Sequence, residues 1–166
     1  SVEDWSGLAP KGIYQRDAPF EKTFDKIFFR SGWAKDDDYL LLDGISGGSH
    51  SYQDGNCIVR YTAKGRSWFG GRVGVASVRE HVGVSVAVDG AGPGCESRYA
   101  TLRYLKEGEC LSVAGTSMIY PGQADWHRHV VHSQEGWFLV IDEVKALLEG
   151  EFLVEGRWHV LGEVAL

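Results

Sequence analysis

No apolar run in this chain approaches the roughly 18 residues that a membrane-spanning helix needs, which excludes an integral helical membrane protein. Proline is scarce, with 4 in 166 residues, and there are only 3 cysteines. Cys57, Cys95 and Cys110 form no Cys-x-x-Cys pair, which argues against a zinc knuckle or a thioredoxin-type site. Two arrangements remain open for them: a Cys95 to Cys110 disulfide in an exported chain, or three buried free thiols, the plainer of the two. The sequence has no Gly-Lys-Ser/Thr phosphate loop, no dinucleotide-binding glycine fingerprint and no Gly-x-Ser-x-Gly elbow. The Gly-Ala-Gly-Pro-Gly stretch from Gly90 to Gly94 leads into no helix, so it reads as a turn. Neither sign of charge dominates: 17 basic and 23 acidic residues leave a net charge of −6. That balance argues against a disordered chain and against a general nucleic-acid binder. The N-terminus lacks the basic, apolar, small-residue order of a signal peptide, and a chain starting at Ser1 reads as a processed or excised piece.

What the chain does have is glycine, 22 residues, with 12% aromatics. This composition predicts many turns between short strands. Residues 1–25 carry no period and read as an entry segment. From Lys26 onward come short β-rich runs: Lys26 to Arg30, Tyr39 to Asp43, Cys57 to Tyr61 and Ser67 to Phe69, the last two flanking a Gly-containing hairpin turn. His81 to Val88 alternates cleanly, with Val82, Val84, Val86 and Val88 on the core face. Further strands are expected over Arg98 to Leu105, Cys110 to Tyr120, Trp126 to His132, Trp137 to Val144, and Glu151 to Val160 with a break near Gly156. One helical turn is expected, from Glu143 to Leu148. The fold class is therefore all-β: a two-layer antiparallel sandwich of about ten strands with little helix, residues 26–166 forming one domain.

Several residues could carry chemistry. His50 sits in a Gly- and Ser-rich loop directly after a strand, where an imidazole can act as general acid or base or neutralise an anion. The alternative is a loop-capping histidine bonded to Asp54. His127 and His129 share one strand face, about 7 Å apart, and His132 points to the other. Such a pair chelates a metal only if a third ligand arrives from a neighbouring strand; otherwise the two pack or face solvent. Between Gly55 and Arg79 stand Arg60, Lys64, Arg66, Arg72 and Arg79 with no acidic residue. The stretch either receives a polyanion or is a solvated hairpin face.

Ordered motifs give a further reading. Phe29-Arg30-Ser31-Gly32-Trp33, then Tyr39-Leu40-Leu41-Leu42-Asp43-Gly44, then Gly47 to Asp54 with His50, resemble the opening of the C-terminal β-sandwich of the heparinase II/III-like polysaccharide lyases. Arg79 to Gly90, Trp126-His127-Arg128 with Trp137 to Asp142, and Arg157-Trp158-His159 are similar to later strands of that family, in the same order.

The resemblance implies a two-layer β-domain attached to a helical toroid in a larger lyase. Such lyases cleave uronate-containing polysaccharides, glycosaminoglycans among them, by β-elimination. The proton beside the uronate carboxylate is removed and the glycosidic oxygen on the adjacent carbon leaves. The toroid supplies most catalytic groups, so the isolated chain is expected to be inactive. By the same resemblance His50 is the catalytic histidine of the β-domain. Tyr52, Arg60, Arg66 and Trp68 are expected to bind the anionic polysaccharide. His81 matches a structural zinc ligand, but Tyr52 and Gly70 stand where the other two ligands belong, so the zinc is expected to be lost. A periplasmic or secreted location follows from the family. The competing functions are a non-catalytic carbohydrate-binding or scaffold module with a degenerate metal site, and a small metal-dependent enzyme using His127 and His129.

Overall fold

Alternation builds the interior directly. Along β8 (Ala124–Ser133), Ala124, Trp126, Arg128, Val130 and His132 are buried, while Asp125, His127, His129 and Val131 are partly open. Successive side chains of an extended strand leave on opposite faces. The same rule buries Val84, Val86 and Val88 of β5 (Val84–Val88), and Val82 just before it. The computed structural model describes residues 19–45, 54–70, 82–92, 99–120 and 123–162.

Within these residues a 3-10 turn, Phe20–Lys22, precedes ten strands. β1 (Lys26–Arg30), β2 (Tyr39–Asp43), β3 (Ile58–Ala63) and β4 (Arg66–Gly70) form one antiparallel sheet in that order. β6 (Thr101–Glu107), β7 (Leu111–Tyr120), β8 and β9 (Trp137–Ala146) form the second. β5 pairs with β10 (Phe152–Gly156). Single antiparallel bridges, Ile58 to Val82 and Phe69 to Val160, connect that pair to β3 and β4. The tight turns have the chemistry their geometry demands. Lys64 and Gly65 turn β3 into β4 with φ of 52° and 69°, and Asp89 and Gly90 follow β5 with φ of 50° and 77°. Two consecutive positive φ values match the right-handed twist of the flanking strands.

The two sheets meet through apolar faces. Ile27, Phe29, Leu40, Leu42, Ile58, Tyr61 and Phe69 pack with Ala114 and Val130, joined by Phe138 and Val140. Val84, Val86, Val88 and Cys57 pack with Met118, Ala124 and Trp126, joined by Val144 and Phe152. Each large aliphatic side chain buried this way contributes about 1.5–3 kcal/mol. The expected all-β sandwich is therefore the observed one.

Three local expectations are corrected. Glu143 to Ala146 is not helical: it continues β9, paired residue by residue with β8 out to Ala146 opposite Ala124. β5 starts at Val84: the preceding Val82 makes only a single bridge, its carbonyl accepting from Ile58 N–H, and the Gly83 carbonyl accepts from Arg157 N–H at 2.8 Å beyond the end of β10. Cys57 is buried as expected, but Cys110 is exposed, in the turn before β7. Cys95 lies outside the described residues.

Candidate functional site

The segment 46–53, which contains His50 and Tyr52, lies outside the described residues, as does His81. The structure does define what holds the ends of that segment. Asp43, the last residue of β2, donates its N–H to the Cys57 carbonyl at 2.9 Å, and its own carbonyl accepts from Asn56 N–H at 2.7 Å. The chain thus leaves and re-enters the sheet at one point. The Asp43 carboxylate accepts from Lys26 Nζ at 2.9 Å and from Ile45 N–H at 3.0 Å. Burial, with the negative charge of Asp54 adding to it, pushes Asp43 up to about 6 against the pull of these two donors. On the other side of the pair, burial favours the neutral amine, but hydrogen bonds to Asp25 and Asp43 outweigh it and hold Lys26 above its ordinary value. A carboxyl that titrates near neutrality therefore sits at the root of the His50 segment. Asp54 Oδ1 is buried with no hydrogen-bond partner among the described residues.

Beneath this root lies a polar bridge between the sheets. Arg128 is 1% exposed. Its Nε and Nη2 donate to the two carboxylate oxygens of Asp142 at 2.8 and 2.9 Å. Its Nη1 crosses to the opposite layer and donates to the carbonyls of Asn56 and Val82 at 2.9 and 3.1 Å. Trp126 Nε1 donates to Asp142 Oδ1 at 2.8 Å, and the guanidinium lies over the Trp126 ring at 4.7 Å. Thr116 Oγ1 donates to Asn56 Oδ1. Val82 directly follows the undescribed segment that holds His81, and Asn56 lies two residues beyond Asp54, where the chain returns from the His50 segment, so one guanidinium ties down the chain just after both segments.

The solvent face of the first sheet carries cations laid on aromatic rings. Arg30 lies 4.4 Å from the Trp33 ring centroid and 5.2 Å from that of Tyr39, and its Nε donates to the Gly32 carbonyl at 3.0 Å. Trp33 is 82% exposed. Arg60 points outward from β3, in register with Leu41 and Gly70. Arg66 stacks on Trp68 at 5.3 Å, and the Trp68 indole N–H donates to the Ala63 carbonyl at 3.1 Å. Of the expected sugar-binding residues, the structure thus joins Arg66 to Trp68 and leaves Arg60 exposed nearby on the hairpin. Sequence reasoning missed Arg30 and Trp33 as a cation–aromatic pair, although the Arg-Ser-Gly-Trp motif was in plain view.

His127 and His129 share a face, as their spacing requires, but that face is the outside of the second sheet. They bond Arg103, Tyr104 and Glu143. Among the described residues no three His, Cys, Asp or Glu side chains converge as a metal ligand set. His132 points inward and stacks on Phe29 at 5.8 Å. Both its nitrogens lack partners among the described residues, and burial holds it below its ordinary value against the opposing charge of Asp38. It serves as a packing ring against Phe29. Gly70, where the resemblance places an acidic zinc ligand, carries no donor side chain, and the other two positions, Tyr52 and His81, lie outside the described residues.

No protein-family model matches the sequence, and no curated protein matches it in sequence. Solved structures do match in fold. Heparan sulfate lyase HepC from Pedobacter heparinus superposes with a TM-score of 0.63 at 20% identity, over 79% of this chain and 22% of that one. Heparinase III superposes with a TM-score of 0.62 at 14% identity, over 79% and 23%. A second heparinase III gives 0.61 at 16%, over 87% and 24%. The chain is thus an antiparallel β-sandwich of the kind found in polysaccharide lyases. In particular it has the fold of the β-region of the heparinase III and HepC lyases, and it spans about a quarter of their length.

Proposed function

We propose that this chain is the β-sandwich domain of a polysaccharide lyase acting on uronate-containing polysaccharides by β-elimination. The observation that carries the reading is the fold match to a heparan sulfate lyase and to heparinase III over most of the chain. In this reading His50 reaches the catalytic cleft as acid, base or carboxylate neutraliser. Asp43 and Arg128 act as positioning residues for its segment. Arg60, Arg66, Trp68 and Tyr52 bind the anionic chain, with Arg30 and Trp33 extending the surface. Stacking of sugar rings on exposed aromatics beside guanidinium groups suits a polyanionic sugar. A helical domain of the same polypeptide supplies the remaining catalytic groups. The domain works without the zinc of the lyase family, Tyr52 and Gly70 having replaced its ligands. The location is periplasmic or extracellular; no helix among the described residues is long and apolar enough to cross a membrane.

The exposed cation–aromatic surface also supports a second reading, a carbohydrate-binding module with no chemistry of its own. One experiment tests both. The 166-residue chain is titrated calorimetrically with heparan sulfate oligosaccharides, and its action on the same polymer is followed by the ultraviolet absorbance of unsaturated uronate. We expect binding without turnover, with R66A and W68A each weakening it several-fold. Absence of binding to any uronate polymer refutes both readings.

A further inference from the structure

The His127 and His129 pair is the motif that the lyase reading leaves unused, and side chains from β6 and β9 gather around it on β8, across a glycine of β7. β6 breaks its alternation at a bulge between Leu102 and Tyr104. The consecutive residues Arg103 and Tyr104 consequently reach the same solvent face: Arg103 Nη1 lies 3.3 Å from His127 Nε2, and Tyr104 Oη lies 2.8 Å from His129 Nδ1. A regular strand would send them to opposite faces; bulges re-aim side chains in this way. β7 makes a second accommodation. A Cβ at Gly115 would stand 2.3 Å from the Tyr104 ring, so glycine alone lets that ring lie across β7 to reach β8. A glycine within a strand weakens the sheet, and here it has a specific local use. From β9, Glu143 Oε2 lies 3.2 Å from His129 Nε2.

The partners fix the tautomers. Arg103 donates, so His127 Nε2 accepts. Glu143 accepts from His129 Nε2–H; in the neutral ring Nδ1 then accepts the Tyr104 hydroxyl proton, and in the protonated ring it donates to the Tyr104 oxygen. The Tyr104 and His129 rings are nearly coplanar in orientation, 23° apart with centroids at 6.0 Å. Charge on this face is not balanced. Glu143 is engaged by His129, and Asp125 stands directly across from Lys145. Arg103 and Lys106 have no carboxylate partner among the described residues. Leu139 and Ile141 continue the face along β9 as exposed apolar surface.

We propose that this outer face of the second sheet is a binding site for an acidic saccharide. The sugar ring lies on Tyr104 and His129, and its carboxylate or sulfate is held by Arg103 with Lys106 alongside. The choice of saccharide class rests on the lyase reading above. The site itself is built on the other sheet from Arg30, Trp33, Arg66 and Trp68, so it provides a second hold on a long polymer.

The test is calorimetric titration of the 166-residue chain with a heparan sulfate hexasaccharide, an unsulfated oligogalacturonate and a neutral malto-oligosaccharide. R103A should weaken binding of both acidic sugars about tenfold, which corresponds to about 1.4 kcal/mol. Y104A and G115A should weaken it by a similar factor, G115A by displacing the tyrosine ring. The neutral sugar should bind weakly and be indifferent to R103A. All variants are checked for native circular dichroism; Arg103 and Tyr104 are exposed, so R103A and Y104A keep the fold. If R103A and Y104A bind the acidic sugars as tightly as the parent while W68A does not, this second site is refuted and the lyase reading stands. If no acidic sugar binds the parent chain, both fall.

Discussion

Replacing Arg128 with methionine, which keeps an unbranched apolar stem and removes the guanidinium, should destabilise the fold by about 3–5 kcal/mol, the range seen when one partner of a buried ion pair is removed. The magnitude follows from what is left behind. Two backbone carbonyls, of Asn56 and Val82, lose a charge-assisted donor in the interior, and an unpaired buried polar group costs about 1–3 kcal/mol. Asp142 loses both guanidinium bonds and keeps only the Trp126 N–H. Its side chain is 23% exposed, so water recovers part of the loss, which keeps the total within that range. Against a typical stability of about 5–15 kcal/mol, this is a large fraction. Urea unfolding followed by tryptophan fluorescence gives the midpoint, with the slope checked for constancy. The double variant R128M/D142L should recover part of the deficit, because it removes the stranded carboxylate as well. A midpoint for R128M corresponding to less than about 1 kcal/mol of destabilisation would refute the bridge as the tie between the sheets.

H132F should stabilise the protein by about 1 kcal/mol, since the ring keeps its stack on Phe29 and two buried nitrogens with no partner among the described residues disappear. The gain should grow in acid. Burial holds His132 below its ordinary value of 6.5, so its share of stability is intact above 6.5 and is lost as pH falls through that value toward the lowered one. Thermal melts of H132F and parent from pH 8 to 5 check both points, and a constant difference across that range would be contrary to expectation. Asp43 has the opposite sign: raised from 3.8 to about 6, it contributes stability that is complete below 3.8 and is lost as pH rises through about 6. D43N should therefore melt increasingly above the parent as pH climbs from 5 to 7.5; a difference that shrinks over that interval would contradict the burial-driven shift. G115A should cost about 1–3 kcal/mol by overpacking against Tyr104, and G115A/Y104A should regain most of it, as measured by urea midpoints.

The strand faces were legible because alternation is a local signal. It separated His127 and His129 from His132 and placed the Val82 to Val88 face in the core without knowledge of any partner strand. The same alternation, read strictly, also carries Arg128 inward between Trp126 and Val130; what the sequence did not reveal was Asp142, fourteen residues away across a hairpin, to receive it. The helical reading of Glu143 to Leu148 failed because local propensity there was outweighed by pairing with β8. Of the candidate sites, Arg66 with Trp68 was visible as neighbours in sequence. The Arg103, Tyr104 and Glu143 setting of the paired histidines was not, since it depends on a bulge in β6 and a glycine in β7 that acquire meaning only once the strands are side by side.

The most direct test of the central claim is the appearance of unsaturated uronate, read by its ultraviolet absorbance, when the full polypeptide containing this domain is given heparan sulfate, with H50A compared against the parent. The account predicts turnover by the parent and its near-complete loss in H50A with oligosaccharide binding retained. Undiminished turnover by H50A, or products that carry no uronate double bond, would contradict it.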